Sequence, residues 1–174
     1  MRPIRLIAAA LAIGLAATLT GTAAAAGGLN ATFTIHFPKG HPASNAPCPS
    51  DAFCGVGSIA GYGAATITVD DESFQPIAGS DCFAVTRVEE LSPLAGDGAL
   101  VLDEEGTFCR PGGSGDSNAS PQSYGAPGVF DLTYNVDGSA SSGTFAGASG
   151  SGRTVMTVAG GVGVWKIRGS LRPA

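Results

Sequence analysis

The chain has 174 residues, 27 of them glycine, with 13% charged residues and a formal charge of −5. That length suffices for one domain with a real core. The acidic balance excludes nucleic acid and anionic membranes as partners, because both are held through basic patches. Few charges and abundant Gly, Thr, Val, Ser and Ala disfavour long helices and favour short strands with tight turns.

Read from its start, the chain opens with Met1-Arg2-Pro3-Ile4-Arg5, an apolar run over residues 6–20, and small residues ending Ala24-Ala25-Ala26. Basic head, apolar middle and Ala-x-Ala tail predict a cleavable signal peptide over residues 1–26 and a mature single domain over 27–174. The apolar run is shorter than the roughly 20 residues a spanning helix needs. No Cys stands at the cut to carry a lipid, and Arg2 and Arg5 are not adjacent as a twin-arginine signal requires. The expected product is secreted and extracellular, with no membrane partner once cleaved. Losing Arg2 and Arg5 leaves seven basic residues against 14 acidic ones.

Apolar and polar residues then alternate over 29–37, which predicts a half-buried strand with Phe33, Ile35 and Phe37 inward. Residues 38–57, rich in Pro, Ser, Asn and Gly, read as a loop holding Cys48 and Cys54. Ala65, Ile67 and Val69 alternate with Thr66 and Thr68. Residues 82–91 and 100–109 are both strand-like around the turn segment 92–98. Residues 111–128 form a second long loop in this reading. Phe130, Leu132, Tyr134 and Val136 alternate with polar neighbours; 155–159 is a further strand, Gly160-Gly161 a turn, and Trp165, Ile167 and Leu171 mark the last strand. Seven or eight antiparallel strands predict an all-β fold, either a barrel of about eight strands or a two-sheet β-sandwich.

Four cysteines in an exported chain read as two disulfides, and no Cys-x-x-Cys spacing suits zinc. Folding 82–109 into a hairpin centred between Ala95 and Gly96 sets Cys82 opposite Cys109, close enough for a cross-strand bond. Of the three pairings four cysteines allow, this register favours Cys82–Cys109 with Cys48–Cys54. On the other face it pairs Phe83 with Phe108, Arg87 with Glu104, Glu89 with Leu102 and Leu91 with Leu100. That face is mostly apolar, hence the inner one. Arg87, Glu104 and Glu89 then either line the interior, as candidates for polar ligand contact or acid–base work, or return to solvent at a β-bulge. The bulge is the plainer expectation.

No Gly-x-Ser-x-Gly elbow, phosphate loop or dinucleotide fingerprint is present. The runs Asp70-Asp71-Glu72 and Asp103-Glu104-Glu105 lack calcium-loop spacing and read as solvated strand ends. His36 falls on the polar side of its strand, and Trp165 reads as core. No metal and no cofactor is implied.

Residues 142–152, Ser-Gly-Thr-Phe-Ala-Gly-Ala-Ser-Gly-Ser-Gly, resemble the Gly-x-Phe-x-Gly-Ala-x-Gly-x-Gly segment of allene oxide cyclase-like barrels, which include plant dirigent proteins. From Cys82 onward the chain is similar to small secreted actinobacterial proteins of that type. They share a Cys followed by Pro-Gly, a Ser-Tyr-Gly as at Ser123-Tyr124-Gly125, a Thr-Tyr strand as at Thr133-Tyr134, and a closing Gly-Ser-Leu as at Gly169-Ser170-Leu171. The resemblance covers the C-terminal half and implies an eight-stranded antiparallel barrel with a central cavity. It transfers no catalytic residue, and fold alone does not fix function.

Three readings follow. The first is a secreted, non-catalytic bacterial barrel that binds a small apolar ligand. The second is a cyclase- or isomerase-type enzyme using Arg87, Glu104 and Glu89 in the cavity. The third is an extracellular inhibitor or adhesion module acting through loops 38–57 and 111–128. The sequence sets no oligomeric state.

Overall fold

The computed structural model describes residues 27–37, 48, 53–111 and 126–174. The expected signal peptide and most of both expected loops lie outside the described residues. Eight strands run in chain order: β1 (Gly27–His36), β2 (Phe53–Ile59), β3 (Gly63–Pro76), β4 (Cys82–Pro93), β5 (Leu100–Cys109), β6 (Gly128–Val136), β7 (Ser151–Ala159) and β8 (Val162–Leu171). Each pairs antiparallel with the next, and β1 closes on β8 from Gly27↔Leu171 to His36↔Val162. The result is a closed antiparallel barrel, not a sandwich. Closure gives both faces of every strand a fixed environment, so the alternation seen in sequence becomes inside and outside.

The hairpin register is the one expected. Cys82 faces Cys109, Phe83 faces Phe108, Arg87 faces Glu104, and Leu91 faces Leu100. Cys82 and Cys109 are bonded with Cα atoms 4.1 Å apart, Cys48 is bonded to Cys54, and no cysteine is free. His36 is exposed and Trp165 is buried, as the alternation requires.

Three expectations are corrected. The loop expected to run to Gly57 gives way to β2 at Phe53, because Val56 and Ile59 add to a ladder with β3 that glycines Gly55 and Gly57 do not prevent. The two acidic runs are not strand ends. Asp70-Asp71-Glu72 lies within β3 and Asp103-Glu104-Glu105 within β5. The bulge exists, but in β3, where the register with β4 shifts between Asp70 and Ser73. Asp71 there takes φ 48°, the left-handed region a non-glycine residue seldom occupies. With the bulge on the neighbouring strand, β4 and β5 pair without interruption and keep their charges inside.

The two ends of the barrel differ. One end carries the short turns after β2 and β4 together with the segment between β6 and β7. There a single 3-10 turn, Gly143–Phe145, drives Phe145 into the core, 4.8 Å from the Tyr62 ring between centroids. Ser141 and Ser142 accept hydrogen bonds from Val101 N–H and Ala99 N–H, both at 3.0 Å, which ties this plug to β5 and its leading turn. Gly98 (φ 107°) and Gly143 (φ 55°) approach so closely that a Cβ on either would collide with the other's backbone. The opposite end carries both disulfides and the β3–β4 and β7–β8 turns. Four phenylalanines gather there: Phe83, Phe108 and Phe130 from adjacent strands, and Phe74, brought in beyond the bulge, with its ring 6.1 to 6.4 Å from the other three.

Candidate functional site

Between plug and phenylalanines, at mid-height of the barrel, lies a buried charged cluster. Along β4 the inward residues are Phe83, Val85, Arg87, Glu89 and Leu91; along β5 they are Leu100, Leu102, Glu104, Gly106 and Phe108. Period-two alternation therefore delivers the charges to the middle of the wall, flanked by apolar residues on both sides. Arg87 and Glu104 are each 3% exposed and Glu89 is fully buried. All three candidates from the sequence come together.

Arg87 is the hub. Its Nε donates to Glu104 Oε2 at 2.9 Å, its Nη2 pairs with Glu89 Oε1, and its Nη1 stands 3.6 Å from Glu72 Oε1. The guanidinium carbon also lies 5.1 Å from the Phe130 ring centroid, a cation–π contact. Thr154 donates its hydroxyl to Glu104 Oε1, and Trp165 donates Nε1–H to Glu89 Oε1 at 2.9 Å. Tyr134 faces Glu104 across the β5–β6 ladder. Two buried polar atoms of the cluster, Glu89 Oε2 and Arg87 Nη2, make no hydrogen bond among the described residues, although Nη2 is ion-paired with Glu89 Oε1.

The electrostatics follow from one cation among three carboxyls. Burial pushes the Glu89 carboxyl well above its ordinary range; Arg87 opposes the rise and Glu104 adds to it. Burial likewise raises Glu72, partly offset by Arg87. For Arg87 burial acts to lower the value, but Glu89, Glu104 and Glu72 together outweigh it, so the guanidinium stays charged. The Tyr134 hydroxyl is pushed up to about 12, by burial first and then by Glu104, and remains a neutral donor. Glu89 is thus biased towards the neutral acid beside a charged arginine.

Glu72 is the member nearest water, its side chain 26% exposed against 1% or less for Arg87, Glu89 and Glu104. The described β2–β3 ladder ends at Phe53↔Val69, so Asp70, Ser73, Phe74, Gln75 and Pro76 pair with β4 alone among the described residues. Sequence reasoning missed Glu72, Thr154, Tyr134 and the Trp165 N–H. A core tryptophan needs an acceptor for its N–H, which was a usable signal; the bulge that turns Glu72 inward left none.

Asp71, Thr86, Val88, Asp103, Glu105 and Asn135, together with Arg87 and Glu104 of the cluster, border an open groove of about 360 Å³. It is acidic, but among the described residues no group of three His, Cys, Asp or Glu is disposed to hold a metal ion. No helix among the described residues is long and apolar enough to cross a membrane. Comparisons with protein-family models, curated proteins and solved structures gave no match to this chain.

Proposed function

We propose that the protein is an extracellular binding barrel that takes a small, largely apolar molecule in through its disulfide-bearing end. The observation that carries this reading is the gathering of Phe74, Phe83, Phe108 and Phe130 at the end away from the Phe145 plug. Aromatic walls above a few convergent polar groups are the usual make-up of a small-molecule site. Phe74 is half-buried, on the stretch of β3 bounded by the bulge, and touches the other three rings. The two disulfides suit an oxidising compartment, and export through a signal peptide over residues 1–26 belongs to the same reading. So does the likeness to the allene oxide cyclase-like and dirigent barrels.

Trp165 is the single tryptophan and its N–H rests on Glu89, so its emission reports on the interior. Titration with the neutral apolar dye phenylnaphthylamine should quench Trp165 and, in native mass spectrometry, add one dye per chain. Unchanged emission together with no mass shift up to the dye's solubility limit would overturn the reading.

A second reading, a cyclase- or isomerase-type enzyme, is favoured by one observation: Arg87, Glu89 and Glu104 all point inward, and Glu89 carries an unpartnered oxygen. Geometry of that kind is what an acid–base pair requires. Recovery of bound small molecules chemically unchanged after long incubation would decide for binding.

A further inference from the structure

We infer that copies of this protein associate side by side, the outer face of β7–β8 on one copy docking through Lys166 and Arg168 against Asp103 and Glu105 on the outer face of β4–β5 on the next. Contact of this kind uses only the outside of the barrel and is independent of what the interior binds.

Charge on the outer wall is sorted by strand. Arg153 on β7 and Lys166 and Arg168 on β8 are all exposed, and none of β1, β7 and β8 holds an acidic residue. On β3 to β6 the sorting is reversed. Their exposed acids include Asp70, Asp71, Asp103, Glu105 and Asp131, and the sole basic residue of these four strands is Arg87, which is buried. In a closed barrel of eight strands, β8 lies diametrically across from β4. The wall therefore has a basic pole and an acidic pole on opposite sides.

Neither pole is neutralised within the chain. Arg153 is held by Asp131, but among the described residues Lys166, Arg168, Asp103 and Glu105 make no ion pair. The β7–β8 ladder also sets Arg153 directly opposite Arg168, a like-charge pairing that costs the sheet stability and that carboxylates from outside relieve. Spacing matches as well as sign. Lys166 and Arg168 are consecutive outward residues of β8, as Asp103 and Glu105 are of β5, so each pair is about 7 Å apart along its strand. Laid face to face, the two strands meet cation to carboxylate at both positions. The open groove bordered by Asp71, Thr86, Asp103 and Glu105 leaves room for the long basic side chains.

Each copy is net acidic, so copies repel at long range. At about 0.1 M salt that repulsion is screened beyond roughly 10 Å, whereas the facing charges act in contact. The two poles are different surfaces on opposite sides, so every added copy presents a free pole. Such a heterologous contact grows into an open row and does not close as a dimer.

Analytical ultracentrifugation of the protein tests this. At about 0.1 M salt the weight-average mass should climb with concentration, passing twice the monomer mass by about 1 mM chain. At about 1 M salt, where charges are screened beyond about 3 Å, the protein should be monomeric. Lys166→Glu with Arg168→Glu should be monomeric at low salt. Asp103→Lys with Glu105→Lys should be monomeric too, although it lowers the net negative charge. All four changes together invert both poles, keep the wild-type net charge and should restore association. A monomeric wild type, association that survives either reversal, or a fourfold variant that stays monomeric overturns the inference. Should a variant fail to fold, carbodiimide cross-linking of mixed isotope-labelled and unlabelled wild-type chains decides. Lys166 is one of two lysines in the chain, and its amine should form an amide with Asp103 or Glu105 of another copy, with net loss of one water. Absence of that link, or links from Lys166 to other acids alone, overturns the inference as well.

Discussion

Glu89 shows how much a single residue's surroundings decide. In an unfolded chain it is an ordinary carboxylate; inside the barrel it is fully buried, with its proton favoured. A carboxyl whose folded value is raised binds its proton more tightly in the native state than in the unfolded one. Its contribution to stability is therefore complete below the ordinary value of 4.5 and is lost as pH rises through the folded value. Glu72 acts in the same direction. The exposed Asp131 and Asp137 are shifted down and act oppositely, losing their contribution as pH falls below 3.8, but solvent screens them. Urea melts followed by Trp165 should show stability declining from pH 4.5 towards neutrality, and Glu89→Gln should flatten that slope; a slope unchanged in the variant would refute the assignment. Arg87→Met is a harsher change, because it strands buried carboxyls without their cation. It should cost about 3–5 kcal/mol. In contrast, Arg153→Gln breaks only the exposed pair with Asp131 and should leave the midpoint in place at high salt.

Among the elements, β3 and the β4–β5 hairpin do opposite things with the same acidic material. The hairpin keeps strict alternation, so Glu89 and Glu104 point inward however costly that is. β3 inserts one extra residue at Asp71–Glu72, and the shift re-aims Phe74 onto the other three rings. Asp71→Gly should be neutral or stabilising by up to about 1 kcal/mol, since glycine accepts φ 48° without penalty, whereas Asp71→Val should destabilise by more than that. Thermal unfolding of the two variants distinguishes strain at this residue from a simple charge effect, which would be equal in both. The Cys82–Cys109 bond ties the hairpin's open end, 27 residues apart in sequence. Replacing both cysteines by alanine should cost roughly 3–4 kcal/mol by loop-closure entropy, read from urea midpoints.

At the scale of the whole molecule, asymmetry between the ends organises everything else. Phe145 and Tyr62 close one end, and the polar cluster sits at mid-height below four phenylalanines at the other. Phe145→Ala should cost about 3–5 kcal/mol, because the ring is 2% exposed and a closed barrel cannot collapse far into the space left. Native mass spectrometry of that variant should also show looser dye selectivity, as the sealed end becomes a second way in; selectivity identical to wild type would mean that the plug has no part in shaping the interior.

Strand alternation, the hairpin register and both cysteine pairs were legible in the amino-acid sequence, because each rests on contacts between neighbours in the chain or across one turn. Two strictly alternating strands that place Cys82 against Cys109 must also place Arg87 against Glu104. What sequence could not supply was the balance between hiding those charges and exposing them. That balance turned on partners from outside the hairpin: Trp165 on β8, Thr154 on β7 and Glu72 on β3. Closure of the barrel brings Trp165 and Thr154 within hydrogen-bonding reach across the interior, Glu72 comes from neighbouring β3, and burial of an ion is tolerable only once such partners surround it. Local periodicity thus determined which way each side chain points, and the tertiary structure alone decided that charge in the interior could be satisfied.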